Sequence, residues 1–263
     1  MKRHLTLFWE YFKQYLKVRM SYRADFLIGL ATSLMATVFA FGFVFVLFSK
    51  IPRLAGWRFE EILFLYGFSL VPYGLFNVVS LNIYDFGSNY IIEGKFDRVL
   101  LRPISTLFQV LFEAFRIESL HEVAVGLLAI VIATRRMGLE WSAADLVLLL
   151  VYGFCGAVIY TSVFLILTSV SFWLEDRIGI APPVWNLIAF GRYPLNIYSS
   201  FVQFMLSWII PFGFASFYPT VRLLGRGEFR VYSALVPVVA AAFLGLALAV
   251  WRRGVRQYAS TGS

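Results

Sequence analysis

Charge is scarce in this 263-residue chain: Asp, Glu, Lys and Arg make up only 14% of it. A soluble domain carries about 25% charged residues, so this chain has too few to coat a water-facing exterior. Its single cysteine, Cys155, excludes an internal disulfide and any multi-cysteine metal site. With His4 and His121 as the only histidines, nucleophilic triads and histidine-rich zinc sites have little to draw on. A phosphate-cradling loop is also missing. That loop needs glycines followed by Lys before Ser or Thr, but the one Gly-Lys pair, Gly94-Lys95, runs into Phe96. There is no GxSxG nucleophile elbow. His121-Glu122 begins an HExxH pattern, but Val125 stands where the second histidine belongs. Glu118-x-x-His121 mimics half of a di-iron helix pair, and His4 is the only histidine left to complete it. No metal, no bound cofactor and no catalytic constellation are therefore expected.

What is present is apolar. The chain is 60% hydrophobic, with 28 Phe, 14 Tyr and 7 Trp, and its mean hydropathy is +0.77. About 20 apolar residues at 1.5 Å each span a hydrocarbon core of about 30 Å. Four uncharged runs reach that length, at 26–49, 62–84, 146–174 and 231–251. This is an all-α integral membrane protein. The net charge of +8 is read as basic residues gathered at one membrane face, not as a nucleic-acid surface.

Two further spans are less regular. Residues 123–134 are uncharged, and apolar positions upstream extend a helix to 113–134 that carries Glu113, Arg116, Glu118, His121 and Glu122 in its first half. On such a helix Glu118, His121 and Glu122 share a face, while Glu113 and Arg116 can pair at i, i+3. Residues 193–221 are uncharged but contain Pro194, Pro211 and Pro219. Proline breaks helices, so a helix over 195–211 is expected to give way to irregular backbone at membrane depth, covered by protein.

Before the first span, residues 1–25 form a basic amphipathic helix. Leu5, Phe8, Trp9, Phe12 and Leu16 share one face, and Arg3, Thr6, Glu10, Lys13, Gln14 and Lys17 the other. Such a helix lies in the membrane interface, and it does not read as a signal peptide. Six spans put both ends on one side. Lys and Arg number 14 on that side (1–25, 85–105, 175–194 and the C-terminal stretch) against eight on the other. The positive-inside rule makes the side with the termini cytoplasmic. Trp57, Trp141, Trp208 and Trp251 are expected as interfacial anchors. Residues 1–263 are read as one transmembrane domain.

Three motifs carry a family resemblance. Glu93-Gly94-Lys95-Phe96-Asp97-Arg98 leads into Leu100-Leu101-Arg102-Pro103 and Leu107-Phe108-Gln109; Phe190-Gly191-Arg192-Tyr193-Pro194 precedes Ile197-Tyr198; and Pro211-Phe212-Gly213-Phe214-Ala215-Ser216-Phe217-Tyr218-Pro219 follows. In this order within six spans they resemble permeases of the ABC-2 exporter family, over essentially the whole chain. The resemblance implies a bacterial plasma-membrane exporter subunit with no nucleotide site of its own. It would pair with a second copy or a related permease, and two cytoplasmic P-loop ATPase subunits would hold ATP and Mg. It also implies a coupling helix in the 85–105 segment between spans 2 and 3, so ATPase coupling would fall on Ser88, Tyr90, Glu93, Gly94, Lys95, Phe96, Asp97 and Arg98. A re-entrant extracellular segment would lie between spans 5 and 6. Tyr73, Phe76, Asn77, Phe204 and Met205 would line the substrate path. From the residues themselves the alternative is a proton-coupled secondary transporter using Glu118 and Glu122.

Overall fold

The computed structural model describes residues 2–21, 23–174, 181–227 and 229–259. The described residues are mostly helical and form no strand, with one isolated bridge between Leu54 and Trp57. Helix α1 (Lys2–Ser21) is followed by α2 (Arg23–Lys50), α3 (Phe59–Tyr84), the short α4 (Lys95–Leu100) and α5 (Thr106–Phe112), then α6 (Leu120–Met137) and α7 (Ala143–Ser169). The remaining helices are α8 (Ser171–Leu174), α9 (Ala181–Leu187), α10 (Ser200–Phe204), α11 (Phe212–Ala215), α12 (Phe217–Leu223) and α13 (Arg230–Gln257). Five helices are long and apolar enough to cross a membrane, or six if the bent pair Ser200–Ile209 and Phe212–Leu223 counts as one span. The four long uncharged runs are all helices at the expected places.

Helix α3 is the axis of the bundle, packed between α6 and α7. Small residues allow this approach. A Cβ on Gly126 would stand 2.5 Å from the Gly67 carbonyl oxygen, and one on Gly67 would stand 2.8 Å from the Gly126 carbonyl oxygen. Between membrane helices such backbone contact replaces the hydrophobic drive that lipid removes. On α7, Gly156 admits Pro72 of α3 and the Ala215 carbonyl in the same way. Helix α2 is the opposite case. Val44 alone among its described residues is buried, and Val38, Phe39 and Phe43 are all more than half exposed.

Cross-links within the bundle identify its two ends. Arg226 meets Glu61 at 3.6 Å and sits 4.2 Å over the Trp57 ring, joining the far ends of α3 and α12. At the other end, Phe8 of α1 meets Phe112 and Phe115, and Tyr258 donates to Asp97. The described beginning and end of the chain therefore share one face, called here the terminal face.

Three expectations need correction. The third span is not one helix over 113–134: α5 ends at Phe112, residues 113–116 are non-helical, and a 3-10 turn (Ile117–Ser119) precedes α6. Phe115 is drawn into the aromatic face of α1 instead, against Phe8, Phe12 and Tyr15, and the Arg116 N–H donates across to the Val78 carbonyl. Nor does a helix run over 195–211. A 3-10 turn (Leu195–Ile197) is followed by α10, which continues as a π-helix (Met205–Ile209), and a 71° bend at Ile210-Pro211 leads to α11 and α12. Finally, Trp57 and Trp251 are 1% and 3% exposed, so they are core residues and not interfacial anchors, whereas Trp208 is 47% exposed.

The course of 181–223 explains where the prolines lead. Trp185 packs on Tyr84, Phe76 and Tyr73 at the terminal half of α3, Arg192 bonds to Tyr66 further along, and Asn196 donates to the Ala55 carbonyl before α3 begins. This stretch runs the length of α3. The chain then dips until Phe212 meets Tyr160 and Ala215 meets Gly156, and returns so that Phe217 meets Trp57. Arg192, counted with the terminal-face residues on sequence grounds, lies instead in the far half, which turns the sequence count into 13 against nine. Arg177 of that segment lies outside the described residues, as do the side chains of Arg3, His4 and Leu5.

Candidate functional site

Two regions gather polar chemistry. The first is at the terminal face, where a π-helix (Gly87–Ile92) and α4 meet at Gly94, whose φ of 68° suits glycine. One side of this hinge is apolar and buried. Phe96 is fully enclosed by Phe86, Phe172, Trp251 and Tyr258, with centroids 5.0–6.1 Å away. Tyr90 stacks on Phe86 and donates to the Glu113 carboxylate. Burial, reinforced by that carboxylate, pushes the Tyr90 phenol well up from its ordinary range. Asp97 accepts from Tyr258 at 3.0 Å, and burial followed by Asp97 pushes the Tyr258 phenol up to about 12. The other side is open: Ser88, Glu93 and Arg98 are exposed, and Lys95 pairs with Glu93 at 2.7 Å. The eight residues singled out by the sequence therefore divide. Phe96 holds the element to α8 and α13, Tyr90 ties it to Phe86 and Glu113, Asp97 ties it to the C-terminal stretch, and Ser88, Glu93, Lys95 and Arg98 lie on the open side.

The second region is inside the bundle. Asn77 of α3, buried, donates to the Glu122 carboxylate of α6 at 3.0 Å. At 1.5 Å per residue this pair lies about 27 Å along α3 from its start, towards the terminal edge of a hydrocarbon core. Tyr73 and Phe76 sit in the same wall, their rings against Trp185 and Tyr160. Asn77 also lines a cavity of about 260 Å³ with Tyr84, Asp85, Arg116 and Trp185. Burial pushes the Asp85 carboxyl up, against the pull of Arg116. Phe204 and Met205 do not join this wall: Phe204 is 54% exposed on α10 and Met205 is half-buried in the π-helix that follows.

The charges of the third span separate as well. Glu113 turns to Tyr90, Glu118 accepts from Tyr15 of α1 at 3.4 Å, His121 bonds to the Glu118 carbonyl, and Glu122 takes Asn77. The expected Glu113–Arg116 helix pair is not formed, because the two residues belong to the non-helical break.

Sequence reasoning set Arg192 within a family motif but gave it no role. Its guanidinium lies 5.5 and 5.0 Å from the ring centres of Tyr66 and Tyr73 and donates to the Tyr66 hydroxyl at 3.0 Å. Cation–π contact of this kind is strongest where water is excluded. Only the three-dimensional course of 181–196 brings Arg192 against α3, so no local pattern could have announced it.

Comparison with curated proteins and with solved structures gives no match. A family model described as ABC-2 family transporter protein matches residues 34–262, from within α2 to beyond the described end of the chain. A multi-pass helical bundle and that match over most of the sequence lead to one conclusion: the chain belongs to the ABC-2 transporter family and is a membrane permease of an ABC transporter.

Proposed function

We propose that the chain is the translocating subunit of an ATP-driven exporter in a bacterial plasma membrane, with both termini cytoplasmic. It binds no nucleotide; ATP and Mg belong to two cytoplasmic ATPase subunits. Residues 1–263 act as one permease domain, paired with a second copy or a related permease. The observation that carries this reading is the two-sided element at 87–100. Its charged edge at Ser88, Glu93, Lys95 and Arg98 is free to meet a partner, while Phe96 and Tyr90 are packed so that displacement of the edge is passed to α13.

Two features support the rest. Both ends of the Ser200–Ile209 and Phe212–Leu223 pair are linked to the far-end loop, by Asn196 to Ala55 and by Arg226 to Trp57, while its bend reaches Tyr160. These links support reading the pair as a re-entrant hairpin that closes an exit, with 181–196 as the fifth crossing. Cargo would pass along Tyr73, Phe76 and Asn77 when 181–192 moves off α3, and along Phe204 and Met205 at the face shared with the second permease. Differential contact with cargo in the two states sets transport.

The test is affinity purification of the tagged chain from its native membrane in mild detergent, followed by ATPase assays with Glu93→Ala and Arg98→Ala. A stoichiometric P-loop ATPase whose activity the wild-type chain stimulates and the double variant does not is the expected result. Stimulation and transport undiminished in the double variant would overturn the coupling assignment.

A further inference from the structure

A cavity of about 290 Å³ opens beside α4 at the terminal face. Lys95, Arg98 and Arg102 stand at its rim. Tyr90 and Val99, both 5% exposed, form its floor. Asn82 and Asn89 also line it; Asn82 spends one N–H on the Val110 carbonyl. The charge balance is uneven. Lys95 is answered by Glu93, and Glu113, the one carboxylate in the wall, already accepts from Tyr90. Arg98 and Arg102 have no carboxylate within ion-pair distance among the described residues, and Arg102 reaches only the Tyr11 hydroxyl of α1, at 3.3 Å. Two arginines without carboxylate partners in the lining of one cavity match the oxygens of a phosphate group.

What lies around the cavity distinguishes between sources of phosphate. Leu101 is 84% and Leu100 43% exposed next to Arg102, and the neighbouring α1 exposes Trp9 and Leu16. A basic pocket flanked by bare apolar side chains at a membrane interface suits an amphiphile, with its headgroup in the pocket and its acyl chains along the leucines. We propose that this cavity is a binding site for an anionic phospholipid, whose phosphate is held by Arg98 and Arg102 and whose presence braces α4 against α1.

The full chain, stripped of lipid in detergent, would be titrated with phosphatidylglycerol and with phosphatidylcholine and read by native mass spectrometry. Each cation near an anionic membrane surface contributes about 1 kcal/mol, or about fivefold in affinity. Arg98→Gln with Arg102→Gln should therefore weaken phosphatidylglycerol binding about 25-fold and phosphatidylcholine binding by less, because its choline cation already offsets the phosphate. Arg135→Gln with Arg136→Gln at the opposite end should change neither. Asn89→Asp, which adds negative charge without removing an arginine, should give the same direction of loss if the double variant fails to fold. Equal binding of the two lipids by wild type, or undiminished phosphatidylglycerol binding in both cavity variants, overturns the proposal. Displacement by millimolar inorganic phosphate would assign the site to a soluble anion and overturn the lipid source. Glu93→Ala separates this site from ATPase coupling: it should impair ATPase stimulation yet strengthen lipid binding by freeing Lys95.

Discussion

Gly126 shows how far a single side chain controls this bundle. Any Cβ there collides with the Gly67 carbonyl, whereas one on Gly245 of α13 meets nothing within 4 Å. Overpacking a tight contact costs about 1–3 kcal/mol, so Gly126→Ala should lower the unfolding temperature in detergent. Gly245→Ala should leave it level or raise it slightly, because alanine favours helix over glycine. Glu122 is the second decisive residue. Glu122→Leu would strand the Asn77 amide at a cost of about 1–3 kcal/mol, while Glu122→Gln can still accept from it. Transport retained in Glu122→Gln marks the pair as structural. Transport abolished there, in a chain as stable as wild type, would favour a proton carried by Glu122.

At the scale of elements, the 87–100 unit depends on its buried side. Phe96→Ala removes the ring around which four others pack, and large-to-small changes of this kind cost about 3–5 kcal/mol. Because Glu93 and Arg98 are exposed, their replacement should leave thermal stability within about 0.5 kcal/mol. Loss of ATPase stimulation in Phe96→Ala with the ATPase still bound would show that the clamp on α13 transmits the motion; loss of the ATPase itself would show that it only shapes the docking edge. The link from Tyr258 to Asp97 has a pH limit. A raised phenol pKa favours the protonated, donating form, so the link's contribution is complete below about pH 10, the ordinary range for tyrosine. It disappears as pH rises through the value of about 12. Tyr258→Phe should lower the amplitude of the strongly alkaline phase by one tyrosine in a titration followed by tyrosinate absorbance.

For the whole molecule, the bareness of α2 is the outstanding feature. Large apolar side chains such as Val38, Phe39 and Phe43 are exposed on it, and Phe201 and Phe204 are exposed on α10. A second permease seated on these helices would bury both. Phe39→Cys or Phe43→Cys should then cross-link in the native membrane, since Cys155 is buried and competes poorly. A product of twice the mass indicates two copies, and a different mass a related permease. Lipid alone covers α2 if neither cysteine gives a product.

The membrane class, the four long crossings, the amphipathic lead-in and the lack of a phosphate loop were all legible in the sequence. Each is a local sum of hydropathy, periodicity or turn chemistry, needing no knowledge of neighbours. Tertiary structure decided the rest. The break at 113–116 exists because Phe115 gains more from the rings of α1 than from continuing a helix, and the Val78 carbonyl satisfies the freed Arg116 N–H. The path of 181–223 is built from short turns whose backbone groups are satisfied locally and across the bundle, so neither its crossing nor its dip leaves a 20-residue signature. Tyr90 and Phe96 read as part of a charged docking motif, yet they are core residues because α8 and α13 arrive to cover them. Arg192 is held within the membrane domain by tyrosines 119 and 126 residues earlier in the chain, a contact across the bundle that no local pattern encodes.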